Sequence, residues 1–382
     1  QRIPAAMLYR PADEREIVAD LYVAPRRQGS GTGKRWKDAM TIYDALREAG
    51  RKPGLKLFLA GGKYVLPNTV EMTNDVQIYG GFAGRERTAA DRKQRAWADA
   101  PSILRGKEGQ DLLVARARIL LDGVTISGSA RAVSAPAGGG IVCLRHCVLE
   151  DNVCGIAFRH DSGADPAKSG RIGRLDGVIF RRNKTAIVGA GHGYQAVNCV
   201  FAGNGSALET RPDSPAVAHL VNCTLAGNGT TGAGAFLNLF SNCIFSRNPV
   251  RRGAYFNCLM EESELRDDAG IYVRDGEDLP LRIAKRPESA GWIRAASCGI
   301  PAFVQGFAGH ADLVDVEKGL YAPAPGSDAV GRAMSQSSAD AIGLAITLPT
   351  VDLYGAPRGG RRPSLGAVEV REAIGIAGGS GR

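Results

Sequence analysis

From Val124 onward a six-residue phrase recurs in which positions one and three are apolar and position six is polar. Its copies read Val124-Thr-Ile-Ser-Gly-Ser129, Cys147-Val-Leu-Glu-Asp-Asn152, Val178-Ile-Phe-Arg-Arg-Asn183, Cys199-Val-Phe-Ala-Gly-Asn204, Cys223-Thr-Leu-Ala-Gly-Asn228 and Cys243-Ile-Phe-Ser-Arg-Asn248. A degenerate copy, Cys258-Leu-Met-Glu-Glu-Ser263, follows. Successive starts lie 23, 31, 21, 24, 20 and 15 residues apart. One short β-rich phrase per turn at this period is the pattern of a solenoid. Alternate strand residues share a face, so positions one and three point inward on every coil.

Stacking coils about 4.8 Å apart sets like residues over like. Cys147, Cys199, Cys223 and Cys243, with Cys258 in the degenerate copy, then form an interior ladder of small thiols. Free Cys is among the most buried residue types, so eight cysteines require no disulfide framework. Position six is Asn in five consecutive copies, Asn152, Asn183, Asn204, Asn228 and Asn248. Asn tolerates left-handed backbone, and stacked amides bond along the axis, so these residues read as a structural ladder at a turn.

The Asn-Cys-x-apolar-x-x-Asn phrasing resembles secreted right-handed parallel β-helix proteins of the pectate-lyase-like superfold. More narrowly, the chain is similar to the choice-of-anchor repeat type of bacterial extracellular proteins. Leu21-Tyr-Val-Ala-Pro25, the helical segment Asp38 to Ala49 and Leu57-Phe-Leu-Ala-Gly-Gly-Lys-Tyr64 resemble its opening strand, cap helix and first coil. Ile78-Tyr-Gly-Gly-Phe-Ala-Gly84, Arg95-Ala-Trp97 and Ile103-Leu104 resemble a phrase that precedes its repeats. Pro325-Gly-Ser-Asp-Ala329, Asp352-Leu-Tyr-Gly-Ala-Pro-Arg358 and Leu365-Gly-Ala-Val-Glu369 resemble its closing coils. The expected fold is all-β, a single-stranded right-handed parallel β-helix with an N-terminal helical cap. Along the chain we expect an N-terminal arm over 1–20, and cap and first coils with a helical insertion (Arg87 to Asp99) over 21–105. Regular coils follow over 106–263, irregular loops and closing coils over 264–370, and a flexible tail over 371–382.

Composition narrows the function classes. Of 382 residues 50 are Gly, 44% are hydrophobic and 23% charged, which supports a packed core and argues against global disorder. No apolar run approaches the ~18 residues of a membrane span. The chain opens on Gln1 without a charged-then-apolar leader, as a processed chain does. Lys and Arg exceed Asp and Glu by 48 − 39 = 9, a bias toward acidic partners. The chain contains no zinc-finger, basic-zipper or RNA-binding sheet motif, which argues against nucleic acid. An acidic polysaccharide or cell-surface glycan fits better, with secretion or a bacterial cell surface as the setting; self-association is left open.

The 31-residue spacing marks the longest loop among the regular coils, with Arg159, His160, Asp161, Asp165, Lys168 and Arg171. Following coils add Arg181, Arg182, Lys184, His192, Arg211, Arg247 and Arg251. On one face these form a basic track, and guanidinium forks bind sugar carboxylates or sulfates bidentately. Arg159, Lys168, Arg171, Arg181, His192, Arg211, Arg247 and Arg251 are thus the candidate substrate-binding residues. In lyases of the resembled fold, Arg or Lys takes the proton beside a uronate carboxyl while Ca²⁺ or another cation neutralises that carboxylate. This resemblance implies Lys184 or Arg182 as base, His160 as support, and Asp161 and Asp165 as the groups for a Ca²⁺ ion. The cluster of carboxylates that such a lyase carries on neighbouring strands is missing, since Arg182, Gly203, Gly227 and Arg247 stand at the repeat position of Asp151. Asp122 and Asp176 precede the phrase, but Asn198, Asn222 and Asn242 stand there later, so a polar turn position is expected rather than a hydrolase pair. His146 reads as structural, at a turn-strand junction. The leading expectation is a protein engaging acidic polysaccharide along a lateral basic groove, with polysaccharide lyase as the enzyme class. The alternative is a non-catalytic cell-surface or matrix β-helix, structural or adhesive.

Overall fold

In the computed structural model, each coil runs through three short strands that stack in register on those of the next coil. Residues 13–92, 100–136, 139–158, 171–189, 194–210, 218–233, 238–249, 253–261, 272–273, 282–283, 306–341, 346–358 and 363–370 are described. The first sheet has ten strands, from Leu21–Val23 to Gly253–Phe256, the second ten, from Gly62–Val65 to Gly306–Ala308, and the third seven, from Val70–Met72 to Gly232–Ala233. Every pairing within these sheets is parallel. One coil shows the path: Ile141–Arg145 in the first sheet, Val148–Glu150 in the second, Cys154–Phe158 in the third, then Arg171–Asp176 back in the first. The architecture is an all-β parallel β-helix.

Position one of the phrase (Val124, Cys147, Val178, Cys199, Cys223, Cys243, Cys258) is wholly buried in one continuous core. Position three stacks beside it, with the Phe180 and Phe201 rings parallel at 5.0 Å. The seven described cysteines are free thiols. Burial pushes the Cys147 and Cys154 thiols up to about 12. The Asn residues at position six chain together: the Nδ2 of Asn152, Asn183, Asn204 and Asn228 each donates to the Oδ1 of the next, at 3.1, 3.0, 2.9 and 2.6 Å. The left-handed residue of this corner is position five, not the Asn: Asp151, Arg182 and Arg247 have φ of 55°, 54° and 47°, and Gly203 and Gly227 complete the set. The Asn side chain can therefore turn inward and bond along the axis while its neighbour makes the bend.

The corner between the first and second sheets is a single left-handed residue: Gly123, His146, Gly177, Asn198, Asn222, Asn242 and Asn257 in successive coils. This corrects one expectation. Asp122 and Asp176 do not share the corner position of Asn198; they are the last strand residues before it, in register with Arg145. Gly supplies the bend at 123 and 177, which leaves the Asp side chains on the outward face of the first sheet.

The helix is shorter than expected, Ile42–Ala49, after a 3₁₀ turn at Trp36–Asp38. Thr41 Oγ1 accepts from the Asp44 N–H at 3.2 Å and so caps it. Ile42, Ala45, Leu46 and Ala49 join the solenoid core and close its N-terminal end. The expected insertion shows a 3₁₀ turn at Ala89–Asp91, and 93–99 lie outside the described residues.

Described segments before the first strand and after the last coil fold back over the outside. Ile17 packs with Phe58, Tyr79, Phe82, Leu120 and Cys143 on the outward face of the first sheet. Beyond Gly306–Ala308, no strand among the described residues adds to the three sheets. Where closing coils are expected over 311–370, the chain forms a hairpin of Leu313–Asp315 with Leu320–Pro323 and a strap that runs back along the solenoid. Position two of the phrase explains this, because Val148, Ile179, Val200, Ile244 and Leu259 point outward and need a cover. Tyr321, Leu353, Ala367 and Val368 lie on the first three of these, and Ala311, Ala329 and Leu365 on the last two. Ala339 and Ile346 cover Val197, Val221, Leu239 and Phe256 of the first sheet. Asn198, Asn242 and Asn257 donate from Nδ2 to the carbonyls of Val351, Met334 and Arg332, so the corner amides also hold the strap.

Candidate functional site

Among the described residues, the two coverings leave a polar window on the outward face of the first sheet. The N-terminal arm reaches Leu120 and Cys143, and the strap begins at Val197 and Val221. Between them, Arg145, Arg174, Asp176, Gln195 and His219 point outward from four neighbouring strands, with His146 at the adjoining corner. Parallel register fixes the rows: Asp122, Arg145 and Asp176 lie side by side, as do Gln195 and His219. Charges alternate along the first row, so each strand end faces an opposite charge.

A network of buried ions anchors the window at one edge. The Asp122 side chain is fully buried and lies 3.2 Å from Arg92, 3.4 Å from Arg145 and 3.4 Å from His146 Nδ1. Burial alone would raise its carboxyl, but the Arg92 charge, the His146 bond and the Arg145 charge hold it well below the usual carboxylate range. Arg92 lies over the Phe82 ring at 5.6 Å and reaches the Gly80 and Asp122 carbonyls. Glu14 of the arm binds Arg145 at 3.1 Å and approaches Arg92 at 3.9 Å. Arg174 pairs with Asp176 at 3.1 Å. Across the window His219 Nε2 lies 3.0 Å from Ser241 Oγ, and burial lowers its pKa to about 4, so the ring is neutral near pH 7.

The residues proposed from the sequence fall at two different corners. Arg181, Arg182, Lys184 and Arg247 belong to the corner between the second and third sheets. There Arg182 forks onto both Asp151 oxygens at 2.8 and 2.9 Å and reaches Glu150 at 3.0 Å, while Arg181 binds Glu150 at 2.6 Å. These bonds raise the Arg182 pKa further, so its guanidinium is held protonated and occupied rather than poised as a base. Lys184 is exposed, its backbone N–H donating to the Asn152 carbonyl at 3.1 Å, and no ion pair engages its ammonium among the described residues. Arg247 is exposed, and its N–H donates to Glu261 at 2.8 Å. The long loop instead joins Phe158 to Arg171, hence the third sheet to the first. The intervening strand, Thr185–Gly189 in the next coil, spans about 13 Å at ~3.3 Å per residue.

Arg171 opens a first-sheet strand beside Ile141, but its side chain lies outside the described residues. So do Arg159, His160, Asp161, Asp165, Lys168, His192, Arg211 and Arg251. Among the described residues no group of three or more His, Cys, Asp and Glu could hold a metal ion. No helix among them is long and apolar enough to cross a membrane. Sequence reasoning missed Arg92, Arg145 and the partnership of Asp122 with His146. The available signal was a charged residue closing otherwise apolar strands, as in Ile119-Leu-Leu-Asp122 and Ile141-Val-Cys-Leu-Arg145.

No family model matches the chain. No curated protein matches it. Among solved structures it is similar to pectate lyase Pel9A, with 13% identity, a TM-score of 0.46, and 93% of this chain and 98% of that one covered. It is also similar to a rhamnogalacturonan lyase, with 11% identity, a TM-score of 0.43, and 64% of this chain and 83% of that one covered.

Proposed function

We propose that the protein engages an acidic polysaccharide along its flank and cleaves it by β-elimination, in an extracellular or cell-surface setting. The observation that supports the reading is the polar window between the two apolar coverings, where Arg145, Arg174, His146 and His219 stand among the described residues. A surface with a net charge of +9 concentrates polyanions around it, and guanidinium forks suit sugar carboxylates. Lys184, the base expected from the sequence, is an exposed amine at the other corner, away from the window.

Two variants separate the corners. Uronate and sulfated polymers are offered to wild type, Arg174→Ala and Lys184→Ala, with calcium and with chelator, while retention and ultraviolet absorbance of unsaturated ends are followed. Loss of a charge-assisted contact in Arg174→Ala weakens retention about tenfold. Loss of turnover with retention intact in Lys184→Ala assigns it as the base. Wild type that retains no polymer refutes the reading and leaves a rigid non-catalytic rod.

A further inference from the structure

The corner residue His146 carries a constellation that its neighbours in the ladder lack. Four later coils place Asn at this left-handed position, and the coils on either side of His146 place Gly there. His146 holds φ at 47°, a region that costs a non-glycine residue conformational energy. Its Nδ1 faces the ionised Asp122 carboxylate at 3.4 Å. A carboxylate only accepts, so Nδ1 is the donor of this contact, and in the neutral ring Nε2 is the edge that presents a lone pair.

Space beside the ring is set by the flanking glycines. The place of a Cβ on Gly123 is taken by Arg92, whose Nη1 would lie 2.7 Å away, so that flank is filled by the group that fixes Asp122. On the other flank a Cβ at Gly177 would lie 3.1 Å from His146 Cδ2 and 3.7 Å from Nε2, with Leu353 of the strap 3.4 Å off. Gly177 adds no side chain against the Nε2 edge, and among the described residues Leu353 of the strap borders the space there. About a third of the His146 side chain is exposed, whereas Asp122 is wholly buried. The charged groups around the pair are Arg92, Arg145 and Glu14 on one side and Asp176 with Arg174 on the next strand.

We propose that His146, positioned by Asp122, is the general base of this window and acts on a uronate residue of an acidic polysaccharide. This rests on the functional reading above and replaces Lys184 as the proton acceptor. Nε2 takes the proton from the sugar carbon beside the carboxylate, and the released pair forms a carbon–carbon double bond. As that double bond forms, the glycosidic C–O bond on the next carbon breaks, and the leaving oxygen takes the proton from the imidazolium. Imidazole and substrate are the only reactants.

The test uses His146→Asn, because the chain already tolerates Asn at this corner in four other coils. On a uronate polymer that wild type retains, kcat for unsaturated ends falls at least ~100-fold, with KM changed little. Nitrogen-resolved spectra of the imidazoles in mildly alkaline buffer, assigned by the signal lost in the variant, place the proton on Nδ1. Asp122→Asn lowers kcat as well and shifts that proton toward Nε2. A wild-type rate in His146→Asn, or a proton found on Nε2 in the wild type, overturns the proposal. If wild type retains polymer but yields no unsaturated ends, the base assignment fails while polysaccharide engagement stands. If it retains no polymer, the functional reading fails and the assignment falls with it.

Discussion

Removing one amide from the middle of the Asn ladder is a severe test of how the coils are held together. The Asn204 side chain makes four hydrogen bonds: Nδ2 donates to the Phe180 carbonyl at 3.0 Å and to Asn228 Oδ1 at 2.9 Å, and Oδ1 accepts from the N–H and Nδ2 of Asn183, both at 3.0 Å. All are buried, so water cannot replace them without opening the corner. At about 1 kcal/mol net per bond, Asn204→Ala costs about 4 kcal/mol, at the upper edge of single substitutions and a large share of a typical 5–15 kcal/mol stability. The bend lies at Gly203, so Ala meets no backbone obstacle and the effect is that of the amide alone. Equilibrium urea unfolding followed by far-ultraviolet circular dichroism reads it directly. With a slope of about 3 kcal/mol/M the midpoint falls by more than ~1 M. Asn68→Ala, which removes one exposed 3.5 Å contact to Tyr43, is the control and shifts stability by less than ~0.5 kcal/mol. Equal midpoints for the two variants refute the view that the ladder couples the coils.

Two further predictions follow from the window and the strap. His219 has its pKa lowered from 6.5 to about 4 by burial, so the unfolded chain holds the proton more tightly; its stabilisation is complete above about pH 6.5 and is lost as the pH falls toward 4. The full difference corresponds to about 3 kcal/mol, lessened by the ring's partial exposure, and His219→Gln flattens that part of a stability–pH curve; an unchanged slope contradicts it. Arg358 is almost wholly buried and joins the Asn198 amide at 2.7 Å to the strap carbonyls of Ser364, Gly366 and Ala367, with Glu369 at 3.7 Å. Arg358→Met leaves these acceptors unpaired at a cost of about 3–5 kcal/mol, which limited proteolysis reads as faster cleavage within 309–370; unaltered cleavage refutes its role as the strap's clasp.

The solenoid was legible because its information is local and repeated. Inward positions one and three are apolar in every copy, and stacking in register turns one reading into seven. The same phrase also foretold the strap, since position two is Val148, Ile179, Val200, Ile244 and Leu259, too apolar for an open surface. The closing coils were expected instead from the resemblance of Pro325–Ala329, Asp352–Arg358 and Leu365–Glu369, and position two was not weighed. Corner geometry was harder, because a one-residue and a two-residue bend differ only by which residue takes positive φ. Asp122 and Asn198 look equivalent in the string, yet the first ends a strand and the second makes the corner.

The window was illegible for a different reason. Its anchor combines Glu14, Arg92, Asp122 and Arg145, brought together from two folded-back segments and two coils, and no spacing rule links them. The sequence instead favours residues close in the string, so Arg181, Arg182 and Lys184 were grouped with the loop that ends at Arg171. A coil visits three faces in about two dozen residues, and neighbours in sequence therefore lie at different corners while residues one coil apart lie side by side. In a solenoid a site is written down the stack rather than along the chain. Asp122, Arg145 and Asp176 form such a column, with His146 at its edge. The N-terminal arm and Arg92 bury Asp122 at one end of the column, while Asp176 at the other stays about a third exposed. Because partners from outside the repeat decide that burial, the same column, read one coil at a time, passes for a polar turn.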